Sequence, residues 1–183
     1  MKLFIPDDPS GWFKHVLGET SKQAAKAGLP DLKTVALSGN DLEMRFWLGS
    51  IDGYRGIIFK RSGNHWTATQ LEYVDFQGVL NPIQPYPEPE IGWDAFWKKL
   101  LSQGILELPD ADCFKDRNIV LDGATFFIEV NLPGTYRIYH YSNPQFQTAD
   151  KGVQDPQAID TAKRMSNIAG LILDISQPRT TDK

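Results

Sequence analysis

The chain has 183 residues, of which 41% are hydrophobic and 23% charged, with a formal net charge of −4 and a pI near 5.3. That length suits one domain, or two small halves sharing a core, and the acidic balance offers no electrostatic footprint for nucleic acid or an anionic membrane. A single cysteine, Cys113, excludes an internal disulfide framework.

The stretch MKLFIPDDPSGW carries one lysine and a short apolar run that prolines and aspartates cut off. It is too short for a signal-peptide core or a bilayer span, so the expected location is cytoplasmic. Within it, Lys2 to Ile5 reads as a short edge strand stopped by Pro6. A helix follows over DPSGWFKHVLGETSKQAAKAG, capped by Asp8 or Ser10, with Trp12, Phe13, Val16 and Leu17 on its apolar side and Gly28 and Pro30 closing it.

DLEMRFWLG alternates. Leu42, Met44, Phe46 and Leu48 face one way and Glu43, Arg45 and Trp47 the other, the pattern of a half-buried strand. YRGIIFKRSGNHWTATQLEYV gives two more strands around Gly63-Asn64, a pair suited to a tight hairpin, so three antiparallel strands form a meander. The next segment holds Pro82, Pro85, Pro87 and Pro89 and reads as an extended connector over 81–90; a docking peptide is the other reading of such a composition. GWDAFWKKLLSQG places Trp93, Phe96, Trp97, Leu100 and Leu101 at helical spacing, and Gly104 ends that helix. ILELPDADCFKDRN is irregular. A third helix starts near Asp155 and Pro156, with Ala162, Met165, Ile168, Ala169, Leu171 and Ile172 as its apolar positions, and the tail SQPRTTDK reads as disordered.

A weak echo links the two ends of the chain. Gly11-Trp12 and Gly92-Trp93 open helices, Leu29-Pro30-Asp31 and Leu108-Pro109-Asp110 follow them, and Asp52-Gly53 and Asp122-Gly123 precede hairpins. The expected fold is α+β: an antiparallel sheet with helices packed against it, as a single domain over 1–183, with pseudo-repeat halves 1–80 and 91–175 as a further expectation.

The hairpin FFIEVNLPGTYRIYHYSNP carries the densest polar-aromatic pattern. An odd-length loop at Pro133-Gly134 pairs Val130 with Tyr136 and puts Phe126, Ile128, Val130, Tyr136, Ile138 and His140 on a core face. Thr125, Phe127, Glu129, Arg137, Tyr139 and Tyr141 share the other, with Glu129 opposite Arg137 and Phe127 opposite Tyr139. In this register Ile138 is core and Tyr139 is outside it. His140 reads as a satisfied inward histidine.

Motifs for chemistry are sparse. His15, His65 and His140 lack metal-ligand spacing, and DADCFKD lacks the glycine and terminal glutamate of a calcium loop, so it reads as a solvated acidic loop. No phosphate-binding glycine loop and no nucleophile elbow occur, and Cys113 reads as a buried or half-buried thiol. No cofactor and no metal are expected.

From Asp122-Gly123 through the aromatic strand with Glu129, the return Gly134-Thr135-Tyr136-Arg137, the exit Ser142-Asn143-Pro144 and the apolar helix, the last half of the chain resembles a module of uncharacterised bacterial proteins. That pattern often has Trp near Phe126 or Phe127, where this chain has Phe. The resemblance implies no activity.

Two function classes follow. The first is a non-catalytic protein-interaction module, regulatory or of the immunity type, binding a protein partner through Arg-aromatic pairs on the polar strand faces: Arg45 and Trp47, Arg137 and Tyr139, with Glu129 and Tyr141. The second is a small-molecule-binding protein or hydrolase with a pocket of Tyr, Arg, Glu and His.

Overall fold

A computed structural model describes residues 1–5, 12–50, 53–74, 79–116 and 123–175. Its strands are β1 (Lys2–Phe4), β2 (Leu42–Ser50), β3 (Gly53–Ser62), β4 (His65–Val74), β5 (Val79–Leu80), β6 (Gln84–Pro85), β7 (Thr125–Leu132) and β8 (Thr135–Ser142). Its helices are α1 (Trp12–Lys26), α2 (Trp93–Ser102) and α3 (Pro156–Asp174). All the strands join one sheet in the order β1-β8-β7-β2-β3-β4-β5, with β6 also on β4. Among the described residues only the β1–β8 pair is parallel. The protein is α+β, as its alternation and helix spacing indicate.

The β2–β3–β4 meander turns at Gly63-Asn64, where Ser62 pairs with His65 and Gly63 takes φ +61°. The second hairpin joins the first through β7, which lies antiparallel to β2 with Trp47 opposite Phe127 and Arg45 opposite Glu129. Strands from both ends of the chain therefore form one continuous sheet.

The turn at Pro133-Gly134 departs from the sequence expectation. Leu132 pairs with Thr135 and Val130 with Arg137, so the loop has two residues and the register is one step from the one expected. Glu129 faces Ile138 across the ladder, not Arg137, and Phe127 faces His140, not Tyr139. Pro133 followed by Gly134 at φ +77° is the residue order of a type II turn, which closes the hairpin without an extra residue. Alternation failed to select the register because both faces are buried, so neither set of side chains is rejected by solvent.

Helices cover both faces. On one, Leu42, Met44, Phe46, Ile57, Phe59, Phe126, Ile128, Val130, Tyr139 and Tyr141 meet Trp93, Phe96, Trp97 and Leu100 of α2 and Met165, Ile168, Ala169 and Ile172 of α3. On the other, Trp47, Ile58, Leu71, Phe127, Tyr136 and Ile138 meet Ala24 and Leu17 of α1, with Leu29, Leu32 and Val35. The expected half-buried character of β2 is thus corrected: Glu43, Arg45 and Trp47 are all buried. Leu101, expected on the apolar side of α2, is exposed.

The third helix starts where the sequence places it. Asp155 caps it, accepting from the Gln157 and Ala158 N–H groups at 2.8 and 3.4 Å. The Pro-rich segment is more than a connector: Gln84-Pro85 adds to the edge of β4, and Tyr86 is buried with its hydroxyl donating to the Ile172 carbonyl of α3. The candidate caps Asp8 and Ser10 and the tail after Ile175 lie outside the described residues, as do the side chains of Trp12, Phe13 and Val16.

Gly56 sits opposite both Trp47 and Leu71 in the sheet, and a Cβ there would lie 2.6 Å from the Trp47 ring. Gly56→Ala is expected to cost about 1–3 kcal/mol through overpacking, read from urea unfolding. A variant as stable as wild type would show that the Trp47 ring has room to move.

Candidate functional site: the β8 edge and its buried neighbours

The six residues singled out from sequence separate into two groups on opposite faces of the sheet. Arg45, Trp47 and Glu129 lie on the α1 face. Arg137, Tyr139 and Tyr141 lie on the α2–α3 face. All but Arg137 are buried, so the expected display of Trp47 and Tyr139 on solvent-facing strand surfaces is corrected; Tyr139 is 1% exposed, no more than Ile138 at 2%. A long helix-covered sheet is the reason, since its pattern of polar residues serves internal partners.

The first group is a closed polar network. The Trp47 indole N–H donates to Glu129 Oε2 at 2.7 Å, and the Tyr136 hydroxyl donates to Glu129 Oε1 at 2.9 Å. Arg45 donates through Nε to Glu43 Oε1 at 2.8 Å and through Nη2 to the Pro30 carbonyl at 2.9 Å. Lys60 Nζ reaches Glu43 Oε2 at 3.2 Å. Burial pushes the Glu129 carboxyl up from its ordinary range, and nearby Arg45 with the Trp47 and Tyr136 hydrogen bonds pulls it partly back. Burial and the adjoining Glu129 push the Tyr136 hydroxyl far up, so it remains a donor.

The second group anchors the segment after α2 to the sheet. Arg137 Nη1 and Nη2 donate to the carbonyls of Leu106 and Leu108. The Tyr139 hydroxyl donates to Ile105 O at 2.9 Å and the Tyr141 hydroxyl to Pro109 O at 2.7 Å. The Arg137 guanidinium also lies 5.0 Å from the Tyr139 ring centroid, the expected Arg-aromatic pair. Burial raises both tyrosine pKa values, and burial lowers that of Arg137.

Sequence reasoning missed Asp110. It is buried, where a solvated acidic loop was expected. Its Oδ2 accepts from the His140 backbone N–H at 2.8 Å and lies 2.9 Å from His140 Nδ1, and its Oδ1 accepts from the Asp112 N–H at 2.9 Å. The Asp-x-Asp order is the signal that could have found it: an aspartate accepting from the N–H two residues on starts a turn, here the short 3-10 turn at Ala111–Cys113. Beyond β1 the edge of β8 would leave the His140 N–H unpaired, and the Asp110 carboxylate covers it.

Asp110, Asp112 and His140 bring one ligand atom each within 4.8 Å of one another, with His140 Nε2 3.8 Å from Asp112 Oδ1. These are the residues that could hold a cation among those described. The Asp110–His140 pair also has the carboxylate–imidazole arrangement of a general base. However, the ring is 2% exposed and stacks on Phe127 at 5.7 Å, so a substrate has no approach to it. Cys113, expected to be at least half-buried, is exposed.

Among the described residues, two hollows that open to the surface stand out. One, about 280 Å³, is lined by Arg55, Gln70, Glu72, Asn81 and Gln84, and its charges satisfy one another: Arg55 pairs with Glu72 at 3.4 Å and Asn81 donates to Glu72 at 3.2 Å. The other, about 210 Å³, lies beside β1 and is lined by Phe4, Leu106, Val130, Leu132, Thr135 and Arg137. β1 is exposed throughout, with Leu3 at 54% and Phe4 at 53%, and so are the flanking Met1 at 59% and Ile5 at 42%.

Compared with protein-family models, with curated proteins and with solved structures, the chain finds no match in any of the three.

Two outcomes are expected. Glu129 has a folded pKa above its unfolded value near 4.3. The folded state therefore binds the extra proton, and Glu129's contribution to stability is present below about pH 4 and declines as pH rises through the folded pKa. Glu129→Gln removes that titration, so its stability relative to wild type should improve from pH 4 towards neutrality, read from urea unfolding at each pH; a relative stability that falls over this range refutes the raised pKa. Asp110→Ala strands the N–H groups of His140 and Asp112 and should cost about 2–4 kcal/mol, with faster amide exchange along 104–113. A cost below about 1 kcal/mol would mean that water replaces the carboxylate at the edge.

Proposed function

We propose that the protein is a non-catalytic interaction module, regulatory or of the immunity type, that binds another protein by accepting an extended segment along β1. The observation that carries this reading is the exposure of the apolar side chains Leu3 and Phe4 on the outermost strand of the sheet, flanked by exposed Met1 and Ile5. Natural edge strands are usually blunted by charge, proline or a covering loop. β1 has only Lys2 in that role, whereas the neighbouring stretch of β8 is sealed by Asp110.

The hydrogen-bonding side of β1 is oriented for such an addition. The Lys2 N–H donates to Gly134 O at 2.7 Å. In a parallel ladder this turns Lys2 and Phe4 inward to β8 and leaves the N–H and C=O of Leu3 pointing outward. A partner segment with apolar residues at alternate positions would pair with Leu3 and cover its exposed neighbours. The contact surface in this reading is β1, in place of the Arg-aromatic pairs, of which Arg45, Trp47 and Tyr139 are buried and Arg137 is half-buried.

Leu3→Pro tests the reading selectively. Proline is tolerated on an edge strand where its missing N–H would face solvent, so the fold should survive. Wild type and variant are used as baits in parallel from cells that make the protein, with Lys163→Ala on the outer side of α3 as a control bait. The expected partner is captured by wild type and control and lost, about tenfold or more, with Leu3→Pro. Capture that ignores the substitution rejects β1 as the contact. A change in the oligomeric state of the purified protein on its own would assign the edge to self-association and reject the hetero-partner reading.

A further inference from the structure

The hollow beside β1 contains a guanidinium that has carbonyl acceptors and the Tyr139 ring beside it but, among the described residues, no carboxylate partner. Arg137 is half-buried, and its terminal nitrogens donate to two main-chain carbonyls. Its Nε–H is out of water with no acceptor. Among the described residues no carboxylate lies within ion-pair distance of this guanidinium, and Glu107 and Asp110 act on it only from further away. The fully buried Arg45 shows how differently a guanidinium with a purely internal role is treated: it is held by Glu43 at 2.7 Å. Removing a cation from water without an anion is costly, and neutral carbonyls recover only part of the loss.

The rest of the hollow is apolar: Phe4, Leu106, Val130 and Leu132, with Thr135 at the rim. Its floor offers side chains only. β1, β8 and β7 are hydrogen-bonded to one another at Phe4, Arg137 and Val130, and the Leu106 carbonyl is taken by Arg137. A peptide backbone entering there would leave its own N–H and C=O groups unpaired, whereas a hydrocarbon tail brings none. The volume of about 210 Å³ is below the usual range of drug-sized pockets, roughly 300–1,000 Å³, so the occupant is small.

We propose that this hollow is a binding site for a small monocarboxylate with a short unbranched apolar tail, its carboxylate taken by Arg137 and its tail by Phe4, Leu106, Val130 and Leu132. The guanidinium has five N–H groups, of which two are committed to carbonyls, so donors remain for an anion. A carboxylate there would supply the counter-charge that Arg137 lacks, and a charge-assisted pair in a poorly hydrated hollow is stronger than one in water. This site does not depend on β1 being a protein contact, although Phe4 borders both.

Hexanoate is the probe, with hexanol and hexylamine as neutral and cationic controls of the same length, and acetyl-Val-Leu with a free carboxylate as the peptide control. Binding is followed by NMR on the full chain, through the methyl groups of Val130 and Leu132 and the Arg137 Nε–H. Hexanoate should saturate these signals at about tenfold lower concentration than hexanol, and hexylamine should not bind. Leu132→Trp, which fills the hollow and leaves Arg137 in place, should remove hexanoate binding with the circular dichroism and melting curve retained. Arg137→Lys should erase the preference for hexanoate over hexanol. Should either variant unfold, Thr135→Trp at the rim gives the same blockade without touching the core. Equal binding of hexanol and hexanoate, saturable shifts elsewhere, or no saturation at the highest soluble concentration would each overturn the proposal. Tighter binding of acetyl-Val-Leu than of hexanoate would overturn it in favour of a peptide C-terminus.

Discussion

Because α1 lies on one face of the sheet and α2 and α3 on the other, the side chains of β2 and β7 must find their partners inside the protein. The apolar ones do so by ordinary close packing. Glu43, Arg45, Glu129 and Asn131 cannot, and the arrangement around them follows from the cost of burying unpaired polar groups. Glu129 draws in the Trp47 indole and the Tyr136 hydroxyl, Glu43 holds Arg45 and Lys60, and Asn131 donates to the carbonyls of Leu32 and Val35. The Asn131 bonds, with that of Arg45 to the Pro30 carbonyl, tie the loop after α1 to the sheet. The Trp47 ring, held by Glu129, lies across Gly56 and leaves no room there for a side chain.

The two halves of the β8 edge are treated in opposite ways. From Arg137 to Tyr141, side chains of β8 grip the carbonyls of residues 105, 106, 108 and 109, and Asp110 reaches back to close the His140 N–H. From Thr135 to Arg137 the edge is paired, among the described residues, with the three residues of β1, all exposed. Main-chain polarity is thus consumed at one end and displayed at the other. The contrast between a sealed stretch and an open one distinguishes this edge of the sheet.

Much of the fold was legible because its signals are local. The alternation of β2, the Gly63-Asn64 turn, the helical spacing from Trp93 to Leu100 and the Asp155-Pro156 helix start each depend on residues within one element. What was not legible depends on a second element. A strand that reads as half-polar looks the same whether solvent or α1 lies over Arg45 and Glu129, so their burial and the one-step register at Pro133-Gly134 escaped the pattern. Asp110 is separated from His140 by 30 residues, and its role exists only because the edge of β8 needs an acceptor there. Arg137 and Tyr139 were paired correctly by their spacing, yet the hollow beside them needs Phe4, which sequence assigns to a different end of the chain.

The pairing of β2 with β7 has a consequence for how the chain reaches this structure. The Trp47–Glu129 hydrogen bond spans 82 residues, and β2 occupies the centre of the finished sheet. During synthesis the meander β2–β3–β4 is complete long before β7 exists, so β2 spends that interval as an outer strand carrying Trp47 without its Glu129 acceptor. Long-range pairing of this kind slows folding and leaves an edge open to wrong partners in the meantime. A fragment ending before residue 123 would keep the β2 edge permanently open, whereas the finished protein leaves its exposed apolar edge at β1.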